Sequence, residues 1–354
     1  MKKQLSLILL LGGIVVLCLS FRFFKATVAE TTFPKTKALH GRTIPIDTAL
    51  FRYPWRIRVN GNRAVVEDLH GPDYFFHLFS YPEFRYLSSF SKRGEAPEEM
   101  LQAENFRGEG DDLWTLDCNK SEMVLWRFNA HRDSLLRHRV VKLQKELLRS
   151  LDFAIYSDTR FLIPDYSGES RFCWVDRKGK LLRKTGDIPS SNKKALEGSR
   201  PALAQAWRSF IDYNPRNGVL VVATQLGEVL EVYNLKENTR IVKVGGQGEP
   251  QFMVSRDGYG IPTGIMGYGD VQVTDRAIYT TFEGESFKDI ANNYKKGVNA
   301  PNGGNRIYVY TLEGEPLRKY ELDHYVDGIW VDEEKGIILA VDGNQDEPIV
   351  EFRM

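Results

Sequence analysis

The chain has 354 residues, 42% of them hydrophobic and 12% aromatic, and its 48 Lys and Arg against 47 Asp and Glu give a formal net charge of +1. A protein that binds nucleic acid carries a surplus of clustered basic residues, so the balanced charge argues against that class of function. The hydrophobic content suits a globular domain with an ample core. We expect one domain, because a repeat protein can grow by adding units.

The first residues combine a basic start, MKKQ, with an apolar run over residues 5–21. This pattern is typical of an export signal and predicts a protein of the cell envelope, either periplasmic or attached to the membrane. Three outcomes stay open for residues 1–21: cleavage after Ser20, lipid attachment at Cys18, or retention as an uncleaved anchor. Leu17 stands before Cys18, where lipoprotein sites have Gly, Ala or Ser. Membrane attachment, through a lipid or through the uncleaved segment, is expected over free release.

The next two segments precede the repeating part of the chain. Residues 22–37 contain Thr, Lys and Pro34, a composition that predicts a linker. Residues 38–47, with the sequence ALHGRTIPID, predict one strand that has no partner nearby in the sequence. This strand therefore needs a partner from a distant part of the chain.

A four-stranded antiparallel meander recurs along the rest of the chain, and its most complete copy covers residues 270–322. Alternating apolar and polar residues bounded by Gly, Asp and Asn predict each strand. The third strand of each copy carries an aromatic and aliphatic signature, at residues 75–78, 124–127, 172–175, 230–233, 307–310 and 349–352. Six copies at this spacing predict an all-β fold, a six-bladed β-propeller over residues 38–354.

The last blade is the incomplete one. Blades one to five are each predicted with four strands, over residues 55–90, 102–141, 152–184, 207–244 and 270–322. Blade six has three, over residues 328–331, 337–341 and 348–352. An open blade would expose a sheet edge, which closed β architectures avoid. We therefore expect the strand at residues 38–47 to complete the last blade, where Pro45 is tolerated on an unpaired edge.

The short and the long connections lie on opposite faces of the predicted propeller. In a propeller the connections between the first and second strands, and between the third and fourth, lie on one face, and here they are short. The other set holds the long connections, at residues 91–101, 187–206, 245–269 and 283–304. Binding residues concentrate on loops carried by a rigid scaffold, so this long-loop face is the predicted functional face. The candidate ligand-binding residues on it are Lys92, Arg93, Asp187, Arg256, Tyr268 and Asp270. Each could instead cap a strand or fasten a loop to a neighbouring blade.

Three stretches carry a resemblance to a known family: SFSKRGEAPEEM at residues 89–100, RFCWVDRKGKLLRKTGDIP at residues 171–189, and EVLEVYNL at residues 228–235. Together, and in this order, they resemble the TolB-like six-bladed propeller family of Bacteroidetes envelope proteins. The resemblance extends from about residue 33 to the C-terminus. It implies a six-bladed propeller in the cell envelope and no established activity.

The sequence contains no GxSxG, HExxH or Walker A motif, so no catalytic residue, metal ligand or cofactor is assigned. The favoured function is a monomeric, non-catalytic binding or scaffolding module that presents its long-loop face to a protein, peptide or glycan. The alternative is a propeller hydrolase or lactonase that holds a divalent cation in the central channel. Asp152, Asp270 and Asp327 lie near the starts of innermost strands. Convergence of carboxylates from at least three innermost strands on one axial point would favour the enzyme.

Overall fold

The computed structural model describes residues 26–28, 32–46 and 51–354. The predicted leader at residues 1–21, with the lipidation candidate Cys18, lies outside the described residues. Six antiparallel sheets surround a central axis, and each innermost strand contacts the next around a closed ring. The prediction of an all-β, six-bladed propeller is therefore confirmed. Within the part of the chain that the structure describes, no helix has the length and apolar character needed to cross a membrane.

The strands follow the predicted blade order. The N-terminal strands are β1 (Ala26–Val28), β2 (Thr36–Leu39) and β3 (Arg42–Thr43). Blade one contains β4 (Pro54–Asn60), β5 (Arg63–Asp68), β6 (Tyr74–Ser80) and β7 (Tyr86–Lys92). Blade two contains β8 (Ala103–Glu109), β9 (Asp112–Asp117), β10 (Glu122–Phe128) and β11 (Leu135–Lys142). Blade three contains β12 (Ala154–Ser157), β13 (Arg160–Pro164), β14 (Phe172–Asp176) and β15 (Leu181–Thr185).

The second half of the ring repeats this arrangement. Blade four contains β16 (Ser209–Asn214), β17 (Val219–Thr224), β18 (Val229–Asn234) and β19 (Thr239–Val244). A separate hairpin follows, formed by β20 (Phe252–Val254) and β21 (Gly260–Pro262). Blade five contains β22 (Tyr268–Val273), β23 (Ile278–Phe282), β24 (Gly304–Tyr310) and β25 (Pro316–Val326). Blade six contains β26 (Ile329–Asp332), β27 (Ile337–Val341) and β28 (Ile349–Arg353).

Hydrophobic side chains fill the gaps between neighbouring blades. One cluster of buried residues lies between each adjacent pair of blades, including the pair formed by blades six and one. The second strand of blade four, β17, is buried along its whole length because both of its faces are covered. Each fully buried aliphatic or aromatic side chain stabilises the fold by roughly 1.5–3 kcal/mol. The ring is thus held by its six inter-blade interfaces.

The N-terminal strand β3 lies at the outer edge of blade six. It pairs antiparallel with β28, with Thr43 opposite Val350, and the Ile44 amide donates to the Ile349 carbonyl at 2.8 Å. Ile44 and Ile46 are buried in the cluster between blades six and one. The strand at residues 42–43 and the strand at residues 349–353 therefore meet in one sheet.

The predicted strand at residues 38–47 is divided into two parts. Its first part belongs to β2, which pairs parallel with β25 on blade five, and the second part is β3. The chain crosses between the blades at Gly41, where a Cβ atom would lie 2.5 Å from Val350 Cγ1. Further upstream, β1 pairs parallel with β19 on blade four. The segment predicted as a linker, residues 22–37, thus contains β1 and the start of β2.

Three short helices lie in the long connections. They are α1 (Lys193–Glu197), α2 (Arg200–Ala206) and α3 (Phe287–Lys295). Asn192, Ser199 and Ser286 cap their N-termini by accepting a backbone amide with the side-chain oxygen. Together with the hairpin of β20 and β21, these helices form the raised parts of the long-loop face.

Candidate functional site

A cavity of about 380 Å³ opens on the long-loop face between α2 and the hairpin of β20 and β21. We call it the loop-face pocket. Its lining residues come from five different connections and are Arg149, Leu151, Tyr166, Pro201, Ala204, Gln205, Arg208, Leu226, Tyr259, Gly260 and Pro262. A site assembled from several loops on a closed ring is the usual location for a propeller ligand.

The hairpin is fastened to α2, which gives the loop-face pocket a rigid wall. Ser199, the N-cap of α2, donates its hydroxyl to the Gly258 carbonyl at 2.5 Å. The Gln205 side-chain oxygen accepts the Gly260 amide at 2.7 Å. A Cβ atom on Gly260 would lie 2.7 Å from the Ala202 carbonyl oxygen, so only glycine permits this close approach. The wall is therefore preformed by hydrogen bonds between α2 side chains and the hairpin backbone and by close backbone packing at Gly260.

Two arginine side chains reach the loop-face pocket. Arg208 directly precedes β16, and Arg149 lies in the connection between blades two and three with φ of 40°. The Arg208 Nε is buried and has no hydrogen-bond partner among the described residues. Burial lowers the pKa of Arg208, and the positive charge of Arg149 lowers it further, whereas Tyr166 and Glu104 act in the opposite direction. The two guanidinium groups therefore repel each other within one partly desolvated site.

Two tyrosines complete the polar lining. The Tyr166 hydroxyl donates to the Ser209 carbonyl at 3.1 Å, and burial raises the pKa of Tyr166, so the side chain stays neutral. Tyr259 lies in the hairpin turn and is 56% exposed at the rim. The loop-face pocket thus combines positive charge, hydroxyl groups and apolar walls.

The hairpin also exposes apolar side chains around the pocket. Met253, Val254 and Ile261 are 59%, 53% and 47% exposed, and Met253 lies opposite Ile261 in the two-stranded sheet. The β21 edge faces α2 through the Gly260 amide, and no third described strand pairs with β20. The hairpin therefore offers an open strand edge beside exposed hydrophobic residues.

The centre of the ring is occupied by ion pairs. Asp270 on β22 accepts from Arg56 at 2.5 Å and from Arg58 at 3.0 Å, and both arginines belong to β4. It also accepts the Ile329 amide at 3.0 Å. Burial acts to raise the pKa of Asp270, but Arg56 and Arg58 outweigh it and hold the pKa at about 2. This carboxylate is therefore ionised and committed to the two arginines.

Carboxylates from three innermost positions do approach the axis, but arginines lie between them. Arg107 on β8 contacts Asp152 at 3.3 Å and lies 3.8 Å from Asp212. In residues 26–28, 32–46 and 51–354, no group of three or more His, Cys, Asp or Glu could hold a metal ion. The guanidinium groups of Arg56, Arg58 and Arg107 lie against the axial carboxylates and pair with them.

Not every axial group is paired. Glu67 on β5 is fully buried, and burial raises its pKa to about 8 despite the opposing charge of Arg56. Both Glu67 carboxyl oxygens, Asp327 Oδ2 and two Arg56 nitrogens have no hydrogen-bond partner among the residues that the structure covers. Burial also raises the pKa of Asp327 well above its ordinary value, with Glu283 adding to the effect. Buried polar groups without a hydrogen-bond partner among the described residues thus lie near the axial ion pairs.

A larger cavity, of about 870 Å³, lies at the opposite mouth of the channel, on the short-loop face. Several of its charged residues are held in ion pairs: Arg216 lies 2.5 Å from Asp275, and Asp332 lies 3.0 Å from Lys335. Glu109 accepts from Arg177 at 2.8 Å. The smaller loop-face pocket, where two arginines lack such partners, is therefore the stronger candidate for a ligand site.

The predicted candidates on blade one fasten a loop. Lys92 pairs with Glu99 at 2.8 Å. Arg93 donates to the Gly71 carbonyl at 2.9 Å and lies over the Phe75 ring at 4.0 Å. Both side chains are thus engaged in holding the connection at residues 91–101.

The other four candidates are dispersed. Asp187 accepts from Arg240 at 3.0 Å, and Tyr268 is buried with its hydroxyl 3.0 Å from that of Tyr310. Asp270 lies on the axis, and Arg256 is exposed at the turn of the hairpin. None of the six candidates lines the loop-face pocket. Its arginines, Arg149 and Arg208, were missed, although both precede the first strand of a blade, Arg208 directly and Arg149 by five residues.

Six blades around a polar axis, closed at the outer edge by an N-terminal strand, define a six-bladed propeller with a loop-lined pocket on one face. The chain belongs to the TolB-like 6-blade propeller-like family, which matches residues 32–334. The resemblance inferred from the sequence is confirmed. A comparison with curated proteins gave no match.

Solved structures share the fold at low identity. A Bacteroides fragilis protein described as exported has a TM-score of 0.57 and 11% identity, with 94% of this chain and 99% of that chain covered. A member of the DUF4221 family from Bacteroides vulgatus has a TM-score of 0.55 and 10% identity, with 90% and 96% covered. An auxiliary nutrient binding protein from Bacteroides ovatus has a TM-score of 0.50 and 11% identity, with 86% and 70% covered. At these identities the likeness shows the fold alone.

Proposed function

We propose that this protein is an exported, non-catalytic binding module of the cell envelope that presents its long-loop face to a protein partner. The observation that carries the proposal is the hairpin of β20 and β21, which exposes Met253, Val254 and Ile261 on a wall fastened to α2. Exposed apolar patches surrounded by polar residues mark interaction sites. A rigid patch loses little conformational freedom on binding, which favours affinity.

The chemistry of the patch favours a protein over a glycan. Sugar hydroxyl groups need hydrogen-bond partners, and aliphatic side chains such as Met253, Val254 and Ile261 offer none. The open edge of β20 can instead take an added strand, because its backbone groups are available to an extended segment. The expected partner is therefore a protein that supplies an extended, apolar segment.

Export and membrane attachment are the second part of the proposal. The basic and apolar residues 1–21 support it, as does the similarity in fold to a Bacteroides fragilis protein described as exported. Cells expressing the full chain should carry the protein in the membrane fraction. Cys18→Ser should release it if a lipid at Cys18 is the anchor, and should leave it in the membrane if the apolar segment is retained. A wholly soluble product that starts near Phe21 would contradict both forms of attachment.

Site-specific photocrosslinking tests the partner. A photoreactive side chain is placed at Met253 and, as a control, at Leu182, which is exposed on the outer strand of blade three. The adduct formed only from position 253 is identified, and the purified partner is then titrated against Met253→Ser/Ile261→Ser and against Leu182→Ser. The hairpin variant should bind about tenfold more weakly or worse, whereas the control should bind like the wild type. Equal affinity of both variants, or a glycan as the captured species, would refute a protein partner at the hairpin.

A further inference from the structure

We propose that the loop-face pocket binds a small ligand that carries an oxyanion, a carboxylate or a phosphate, on an apolar body, and that Arg149 and Arg208 hold the oxyanion. The site goes beyond the proposed protein docking, because it is a cavity beside the hairpin and does not involve the exposed Met253 and Val254. The inference is drawn from the charges, the backbone and the walls of the pocket.

The charge of the pocket is uncompensated. Neither Arg149 nor Arg208 forms a hydrogen bond or an ion pair within 4 Å through its guanidinium group to any described residue. Glu104 is the acidic group that acts on both, but burial raises its pKa and it is engaged by the Cys118 thiol at 3.1 Å. An oxyanion between the two guanidinium groups would remove their mutual repulsion and form charge-assisted hydrogen bonds with a planar fork geometry.

The backbone at Arg149 points to the same residue. Its φ of 40° lies in the left-handed region that side chains with a Cβ atom rarely adopt. Glycine would take this conformation without strain. Strained positions occupied by functional side chains cluster at binding sites, where the fold tolerates the strain for the sake of the side chain.

The walls define the rest of the ligand. Leu151, Pro201, Leu226 and Pro262 supply apolar surface, and the volume of about 380 Å³ is near the lower end of the range of roughly 300–1,000 Å³ for small-molecule sites. Gln205 uses its oxygen to hold the hairpin, which leaves its amide nitrogen able to donate. A small ring or short aliphatic chain that ends in an oxyanion matches these dimensions.

Thermal shift and calorimetry with three probes test the proposal on the purified full-length protein. Phenylacetate and phenyl phosphate carry the two oxyanions on one apolar ring, and 2-phenylethanol is the neutral analogue. At least one anionic probe should raise the melting midpoint, whereas 2-phenylethanol should not. The probe that binds more tightly identifies the oxyanion as carboxylate or phosphate.

Variants assign the binding to the two arginines. Arg208→Gln and Arg149→Gly should each weaken binding of the effective probe by about ten- to a hundredfold, as expected for loss of a hydrogen bond to a charged group. Arg208→Lys should restore part of the affinity. Arg216→Gln, an exposed arginine paired with Asp275 on the opposite face, should leave the affinity unchanged.

The ligand-free melting midpoint of Arg149→Gly separates a binding role from a structural one. It should equal or exceed that of the wild type, because glycine relieves the strained backbone. The proposal fails if neither anionic probe binds the wild type at millimolar concentration, if the neutral analogue binds equally well, or if Arg208→Gln retains full affinity. These outcomes do not depend on Met253→Ser/Ile261→Ser, so the pocket and the protein partner can fail separately.

Discussion

Two sets of arginines in this molecule differ in whether they have a carboxylate partner. On the axis, Arg56 and Arg58 share Asp270, whose pKa they hold at about 2 despite its burial. At the loop-face pocket, Arg149 and Arg208 have no carboxylate partner among the described residues. A buried charge whose counter-ion lies in the same chain contributes to the fold, and one whose counter-ion is absent is available to a ligand. We therefore expect the ring to determine stability and the long-loop face to determine binding.

Breaking the ring should have the largest effect. A chain that starts at Thr48 lacks β2 and β3, and with them the buried side chains of Leu39, Ile44 and Ile46. At roughly 1.5–3 kcal/mol for each side chain, the loss approaches the ~5–15 kcal/mol by which domains are stable. This chain should be insoluble or should melt without a cooperative transition, whereas one that starts at Phe33 should unfold like the wild type. Equal unfolding curves for the two would show that the closing strand is dispensable.

Breaking the axial ion pairs should have the second-largest effect on stability. Asp270→Asn leaves the charges of Arg56 and Arg58 without their carboxylate and should lower the free energy of unfolding by about 3–5 kcal/mol. The matched change at the loop-face pocket, Arg208→Gln, removes a charge that has no ion-pair partner among the described residues and should leave the free energy of unfolding unchanged or raise it slightly. Urea unfolding at pH 7 measures both. Similar losses of unfolding free energy for the two variants would show that the ring and the long-loop face do not differ in their contribution to stability.

The pKa of the same carboxylate predicts a contribution to stability that depends on acid pH. The pKa of Asp270 falls from an ordinary 3.8 to about 2 in the folded protein, so its stabilising effect is complete above pH 3.8 and is lost as the pH falls towards 2. In Asp270→Asn this part of the acid dependence should be missing. Unfolding curves between pH 2 and pH 5 compare the two proteins.

Glu67 should show the opposite dependence on pH. Its pKa is raised from 4.5 to about 8, so the folded protein keeps a proton that the unfolded chain has released, and stability should fall as the pH rises from 4.5 to 8. In Glu67→Gln this fall should be absent, which makes the variant relatively more stable at pH 8, on the order of 1–3 kcal/mol. Urea unfolding at pH 5 and pH 8 provides the comparison. A variant with the same slope as the wild type would show that Glu67 is ionised at both pH values.

Shortening a connection of the long-loop face should have the smallest effect. Helix α3 buries none of its residues, so replacing residues 288–300 by a short Gly-Ser segment removes little packing. Loop closure changes by about 0.6 kcal/mol for each doubling of length, and the free energy of unfolding should stay within about 1 kcal/mol of the wild type. Chemical denaturation measures it. A loss as large as that of Asp270→Asn would show that this connection is part of the core.

The blades could be predicted because their signals are local. In blade four, the apolar strand Val219–Thr224 and the alternating strand Thr239–Val244 are bounded by turn residues, and no distant contact is needed to recognise them. The hairpin of β20 and β21 was missed because strands of three residues are too short to show alternation. The three helices were also missed, because helices of five, seven and nine residues are too short to show a clear helical period.

The site could not be predicted for a different reason. Whether an arginine is paired depends on residues far away in the sequence: Arg56 and Asp270 are 214 positions apart. The sequence therefore predicted Asp270 as a binding residue, although in the structure it lies on the axis and pairs with arginines there. Arg208 follows Trp207, and neither neighbour in the sequence indicates that the Arg208 Nε is buried without a hydrogen-bond partner among the described residues. Pairing of charges is a property of the assembled ring.

The contact between β3 and β28 also constrains the order of folding. The four consecutive strands of each of blades one to five pair as hairpins between neighbours, which form quickly because their contacts are local. Blade six cannot be completed until Val350, almost at the end of the chain, has been synthesised and has met Thr43. Contacts across such a sequence separation form slowly, and the unpaired edge of β28 is open to other chains in the meantime. A trimmed N-terminus and an interrupted C-terminus therefore leave the same blade unfinished.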